Sequence, residues 1–383
     1  MTTNGWNFYP VRNKVNLMKK TERNRLLAAL SLVLLDGLAM ALFQRFPSFF
    51  FPAYRSFSKQ WIALLAKLVS FSPAAVWDIA LPILVLAAVI TLVIQVRKKR
   101  FINWLTAVLL IASILLSEVI LGWMLNHYAP PLAEELGYEV TLYGSDELYE
   151  TCEYFLKEAS RYAPRMERDE QGHLQRQNFY ELARIAGANY AGFRENVPAL
   201  SGSAVPVKKL SVVGEYLMYN GIIGMFMPIS GESGIPATVP AAPMPFTMAH
   251  EAAHRVGIAS EEEANFAAFL SCMESDDLRF LYSGYYSAFS YCYSSLYSIS
   301  PKKCTELIEA NAETDGLALV LLDRRDTSLI YDSYDSPLQE VSDQINDTYL
   351  KTFSEESGIQ SYGEVTDDLI AWRNKQRQEG KAG

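Results

Sequence analysis

Three apolar runs, Leu26 to Phe43, Ile79 to Val96 and Ile102 to Leu125, constrain this chain more than any other feature of it. Each approaches the ~20 residues that an α-helix needs to cross the hydrocarbon core of a bilayer. Residues 1–126 are therefore expected to form a membrane anchor with three transmembrane helices, at about 26–43, 79–96 and 102–125. Lys19, Lys20, Arg23 and Arg25 precede the first run, and Arg97-Lys98-Lys99-Arg100 separates the second from the third. Basic flanks stay on the cytoplasmic side, which predicts a multi-pass protein with its N-terminus cytoplasmic and residues 127 onward extracytoplasmic. Ala39-Met40-Ala41 resembles a signal-peptide cleavage site, but the long basic leader favours a retained span. Asp36 and Glu118 fall inside spans, where an ionisable group has to face a partner on another helix. Between the first two spans, Phe57, Trp61, Leu64, Leu65 and Leu68 recur at helical spacing, predicting an interfacial helix over about 57–70 with Lys59 and Lys67 reaching toward water.

Charge divides the chain at the same boundary. Residues 1–126 carry 14 Lys and Arg against 4 Asp and Glu, whereas residues 127–383 carry 20 against 39. So acidic a second half would repel phosphate, and no nucleic-acid partner is expected. The lipid bilayer is the first partner implied. The second half reads as one domain over 127–375, largely α-helical, followed by a disordered polar tail at 376–383. The exception is 201–245, rich in Gly, Pro, Ser and Val, where the apolar stretch 222–227 predicts a short strand or hairpin and a possible edge for strand addition. All four cysteines, Cys152, Cys272, Cys292 and Cys304, lie in this half, where disulfides are permitted, and their spacing matches no metal-binding motif.

Chemistry concentrates in His250-Glu251-Ala252-Ala253-His254. On a helix the two histidines stand one turn apart on one face and can share a Zn²⁺ ion, while Glu251 reaches a metal-bound water and serves as the catalytic base. Small apolar neighbours, Ala249, Ala252 and Ala253 among them, suit a buried helix. Gly257 can close that helix, and Ser260 can open a second one beginning Glu261-Glu262-Glu263-Ala264-Asn265-Phe266. A capping box of Ser260 with Glu263 would leave Glu261 as the third metal ligand, with Glu262 and Glu263 as alternatives. Asn265, one turn after Glu261, is placed to accept a hydrogen bond from a ligand imidazole and fix its tautomer. Tyr282, Tyr285 and Tyr286 are candidate transition-state stabilisers, although their spacing equally fits core aromatics. His127 and His173 read as solvated residues without a role.

His250-Glu251-x-x-His254 with Glu261-x-x-Ala264-Asn265 resembles the gluzincin pattern, from which it departs in the short interval between the two motifs and in Asn265 where Asp is common. Phe246-Thr247, Gly257, Glu261 to Phe266, Tyr282-Ser283-Gly284-Tyr285, the Pro130-Pro131 junction and the stretch Gly224 to Glu232 are together similar to an uncharacterised bacterial membrane family, the domain-of-unknown-function family numbered 3810. The resemblance implies a mainly α fold with a zincin-like domain and a small β element. It also implies a bacterial cell membrane location and a zinc metallopeptidase acting on a peptide or protein substrate. The expectation of another class is a non-catalytic receptor or scaffold that keeps the zincin fold; a water-accessible fourth position beside Glu251 argues for the enzyme.

Overall fold

Hydropathy dictates the first layer of the architecture. In the computed structural model, which describes residues 18–193, 197–337, 339, 342, 344 and 361–380, helices α1 (Lys20–Arg45) and α3 (Val76–Arg97) and the helical stretch Phe101–Tyr128 are each long and apolar enough to cross a membrane. That last stretch consists of α4 (Phe101–Gly122) and a 3₁₀ segment, Met124–Tyr128. Lys99, in the tight turn between α3 and α4, has a left-handed backbone (φ 53°). The two intramembrane acids find partners on neighbouring helices. Ser117 Oγ donates to Asp36 Oδ2 at 2.7 Å, tying α4 to α1. Trp61 Nε1 donates to Glu118 Oε1 at 2.9 Å, tying α4 to α2 (Pro47–Leu68).

Helix α2 begins ten residues earlier than its sequence pattern suggests and carries two apolar faces. Phe51, Tyr54, Ser58, Ile62 and Ala66 are buried against protein, while Phe57, Leu64 and Leu68 stay exposed. Lys59 does not reach for open water as expected: its ammonium donates to the carbonyls of Pro198, Ala199 and Ser201 at 2.7–2.8 Å. Three carbonyl acceptors replace much of the hydration that a partly buried ammonium gives up.

The rest of the chain is mainly helical, in the order α5 (Leu132–Glu135), α6 (Ser145–Tyr162), α7 (Phe179–Gly192), β1 (Lys208–Leu210), α8 (Gly214–Met218), β2 (Met225–Met227), β3 (Glu232–Pro236), α9 (Met244–Arg255), α10 (Glu261–Met273), α11 (Leu278–Ile299), α12 (Pro301–Ala310), α13 (Leu317–Asp332) and α14 (Ser361–Gln378). The expected β element is a three-stranded sheet of order β1-β3-β2. Its hairpin pairs β2 antiparallel to β3, with Phe226 opposite Ser233, and β1 lies parallel on the other side of β3. The main core lies among α6, α9, α10, α11 and α14, where Trp372 meets Phe155 and Phe269 at ring distances of 6.1 and 4.9 Å.

Three local expectations change. Helix α14 runs through Gln378, and Arg377 pairs with Glu150 at 2.9 Å, so the supposed disordered tail begins as helix; residues 381–383 lie outside the described residues. Part of the helical pattern expected up to Trp372 likewise falls on residues outside those described. All four cysteines are free thiols and buried. His173 is not simply solvated: its Nδ1 lies 2.5 Å from Asp326 Oδ2, joining the turn at 167–175 to α13. Arg168 in the same turn makes a two-pronged bond to buried Asp323 at 2.8 and 2.7 Å.

Candidate metal centre

Helix α9 is set by proline at its start and glycine just past its end. Pro243 and Pro245 accompany its first turn, where proline costs no intrahelical bond. Ser283 of α11 supplies the missing cap: its Oγ accepts from Phe246 N at 3.0 Å and donates to Ala242 O at 2.7 Å. At the other end Gly257 adopts φ +96°, and the backbone returns through Gly257 N to His254 O and Ile258 N to Ala253 O, both 3.1 Å. The chain then turns directly into α10. Ser260 has the extended backbone of an N-cap but makes no side-chain cap bond. Glu263 does not close the expected capping box; its Oε1 accepts from Leu132 N at 2.7 Å and so helps anchor the start of α5. Glu261 is the acidic residue of the triplet that meets the histidines.

His250, His254 and Glu261 present ligand atoms that all lie within 4.8 Å of one another. His250 Nε2 stands 3.1 Å from His254 Nε2 and 3.2 Å from Glu261 Oε2, and His254 Nε2 stands 3.6 Å from Glu261 Oε1. Tetrahedral zinc with bonds of 2.0–2.1 Å implies ligand–ligand edges of about 3.3 Å, so the triangle has the right size. The outer nitrogens fix the tautomers. His250 Nδ1 donates to Asn265 Oδ1 and His254 Nδ1 donates to Ile258 O, both at 2.8 Å, which turns both Nε2 lone pairs toward Glu261. Two ring nitrogens and a carboxylate at this separation form a donor set whose size and chemistry fit a divalent cation.

Charge couples the same groups. Burial would lower the His254 imidazole, but the Glu261 carboxylate outweighs it and lifts the pKa to about 9. Burial would raise Glu261, yet His254 and the hydrogen bonds from both imidazoles hold it well below the usual carboxylate range. Glu251 differs from both: burial pushes it up to about 7 against the pull of the two histidines. Among the described residues its Oε2 has no hydrogen-bond partner. Gly224, just before β2, lies so close that a Cβ built there would come 2.6 Å from Glu251 Cδ. Ser233 Oγ of β3 donates to the Glu251 carbonyl, holding the helix against the sheet.

Of the tyrosines expected near the site, Tyr282 donates to Asp323 and Tyr286 donates to Thr327 Oγ1 at 3.0 Å, both on α13. Tyr285 stacks on Tyr162 at 5.6 Å, beside α6. The Tyr282-Ser283-Gly284-Tyr285 segment is thus architectural: Ser283 caps α9, and Gly284 allows close approach to Cys272 of α10. The tyrosine that reaches the centre is Tyr291, whose hydroxyl donates to Asn265 Oδ1 at 3.0 Å and whose ring meets Phe246 at 6.1 Å. Trp123 is the other residue that sequence reasoning missed. It directly follows α4, and its Nε1 donates to the His254 carbonyl at 2.8 Å.

Fold and site together define a membrane-associated, mainly helical protein with a buried His-Glu-His-Glu constellation on two consecutive helices. The chain belongs to the family described as "Protein of unknown function (DUF3810)", whose profile matches residues 54–370. No curated protein and no solved structure matches it.

Proposed function

We propose that this protein is a multi-pass membrane zinc peptidase that hydrolyses peptide bonds of a protein or peptide substrate, with His250, His254 and Glu261 as metal ligands and Glu251 as general base. The basic flanks of α1 and of the α3–α4 turn support a cytoplasmic N-terminus, with the domain that carries these residues outside the bacterial cell membrane. The observation that carries the reading is the triangle of two Nε2 atoms and one carboxylate at 3.1–3.6 Å, with the buried Glu251, whose Oε2 has no hydrogen-bond partner among the described residues, one residue past His250 on the same helix.

His250, His254 and Glu261 would hold zinc, which would supply Lewis-acid polarisation of a carbonyl and of the attacking water. Glu251 accepts the proton of the attacking water as oxygen bonds to the carbonyl carbon, then delivers a proton to the departing amine as the C–N bond breaks. Asn265 keeps His250 in the ligating tautomer, and Tyr291 keeps Asn265 in place. Among the described residues the outer edge of β2 carries no strand, which suits an extended substrate added to that edge, and Gly224 lets the backbone leading into β2 pass directly against Glu251.

Elemental analysis of the purified full chain tests the ligand set. Near-stoichiometric zinc is expected for wild type and Glu251→Gln and depletion for Glu261→Gln, with hydrolysis of a peptide library by wild type alone. Folded wild type that takes up no zinc after supplementation would overturn the proposal and favour a receptor or scaffold.

A further inference from the structure

The metal helix is gripped by the membrane module itself, with no spacer between them. Helix α1 crosses, α2 lies between the end of α1 and the start of α3, and α3 and α4 cross back and return. The end of α1, all of α2, the start of α3 and Trp123 therefore share one membrane face. Trp123 bonds the His254 carbonyl and sets its ring edge-on to that imidazole at 6.1 Å, so a metal ligand is positioned by the residue at the mouth of a span.

The edge strand is tied to the same surface. Phe226 of β2 meets Trp123 at 5.1 Å and packs with Ile62, Trp61 and Leu65 of α2. Gly231, in the hairpin turn, approaches α2 so closely that a Cβ there would fall 2.6 Å from Ile62 O and 2.8 Å from Ala66 N. About a third of a turn around α2 from its buried face, Phe57, Leu64 and Leu68 are 52%, 50% and 65% exposed, and Phe71 beyond the helix is 79% exposed. Such a stripe on a helix between two spans faces lipid. Ile223 and Ile229, flanking β2, are also exposed. The edge strand therefore sits within about one helix diameter, ~10 Å, of the lipid-facing stripe.

Building on the peptidase reading, we propose that the occupant of the β2 edge is the membrane-proximal segment of a membrane-tethered polypeptide rather than a freely diffusing peptide. An extended chain rises ~3.3 Å per residue, so ~3 residues bridge from tether to strand, and the scissile bond falls about 3–6 residues from the anchor. Tethering also raises the effective concentration of a weakly held strand at the site.

The test uses the full chain in vesicles of phosphatidylethanolamine and phosphatidylglycerol. Ile223→Cys labelled with bimane is expected to be quenched by lipids carrying a nitroxide on the headgroup, and Leu68→Cys by lipids brominated in the shallow part of the acyl chain, while Lys302→Cys on α12 is quenched by neither. Unquenched Ile223 overturns the proposal whatever the activity. In parallel, a mixed decapeptide pool with an N-terminal palmitoyl chain is compared with the same pool unacylated. At least about tenfold faster cleavage of the acylated pool, with cuts clustered near the anchor, supports the proposal. Equal rates overturn the tethered substrate and leave the peptidase reading standing. Cleavage of neither pool by zinc-loaded protein overturns both.

Discussion

Asn265 shows how much of the centre rests on a neutral residue. Its Oδ1 accepts from both His250 Nδ1 and Tyr291 Oη, so one oxygen holds a ligand's tautomer and is itself held by α11. Removing an outer partner of this kind costs ~10–100-fold in metal affinity. Asn265→Ala is expected to fall in that range in competition against a chelator, whereas Asn265→Asp keeps the acceptor and most of the affinity. Equal losses for both variants would mean that packing, not the hydrogen bond, matters. Gly224 controls the other carboxylate. Gly224→Ala would drive its Cβ into the Glu251 carboxylate, which sits on a buried helix held by Ser233. A base displaced by ~1 Å costs ~100-fold in turnover, so hydrolysis should drop by about that factor while zinc content stays unchanged. Wild-type turnover in Gly224→Ala would show that the base has room to spare.

At the level of elements, the turn at 167–175 is fastened to α13 by one permanent and one titratable pair: Arg168 with Asp323, and His173 with Asp326. The hydrogen bond and charge of Asp326 raise the His173 pKa above its ordinary value. A raised folded pKa means that the pair's stabilisation is complete below the free value near 6.5 and disappears as pH climbs through the folded one. Wild type should therefore melt above His173→Gln at about pH 5.5, with the gap closing as pH rises past the raised folded pKa. A gap that persists at the higher pH would assign the difference to packing. The elements themselves were legible wherever a period or a local signal defined them: the long apolar helices from apolar length, the approach of His250 to His254 from one-turn spacing, and the α9–α10 turn from Gly257. What stayed hidden depends on how helices are rotated against one another. Tyr282 and Tyr286 share a face of α11, and Tyr291 lies nine residues past Tyr282, about half a turn around. Periodicity alone cannot tell which of those faces meets the metal helix. Phe246, packed on Tyr291, decides it. Glu263 was misassigned for a similar reason, since its partner Leu132 N lies 131 residues away in sequence.

The whole molecule is less divisible than its charge boundary suggests. Glu232 of β3 is buried and accepts from Val76 N at 2.8 Å and Trp77 N at 3.2 Å, so a sheet residue caps a membrane helix. Asp78 on that helix returns the favour, accepting from the backbone N–H groups of Ser211, Val212 and Val213 at 2.6–2.8 Å. Ala75 N donates to Lys209 O at 3.0 Å, extending the sheet into the stretch before the span. On the α4 side, Ser58, Trp123 and Asn126 form a polar knot: Ser58 Oγ donates to Gly122 O at 2.7 Å, and Asn126 Nδ2 donates to Ser58 Oγ at 2.9 Å. Cutting the chain at the apparent boundary would strip the backbone donors Val76 N and Trp77 N from buried Glu232, leaving it Lys208 at 3.8 Å, and uncover the surfaces of β2, β3 and α9 that Ile62 and Trp123 cover. Exposing one large apolar side chain costs about 1.5–3 kcal/mol, which corresponds to roughly ten- to hundredfold more frequent opening. In hydrogen exchange, amides of β3 and α9 in a 127–383 fragment should accordingly exchange at least about tenfold faster than in the full chain, while α12 is unchanged. Equal protection of α9 in both would mean that the metal helix is set by its own domain and that the membrane helices merely carry it. Loss confined to β3 and α9 would instead make the anchor part of the site's architecture.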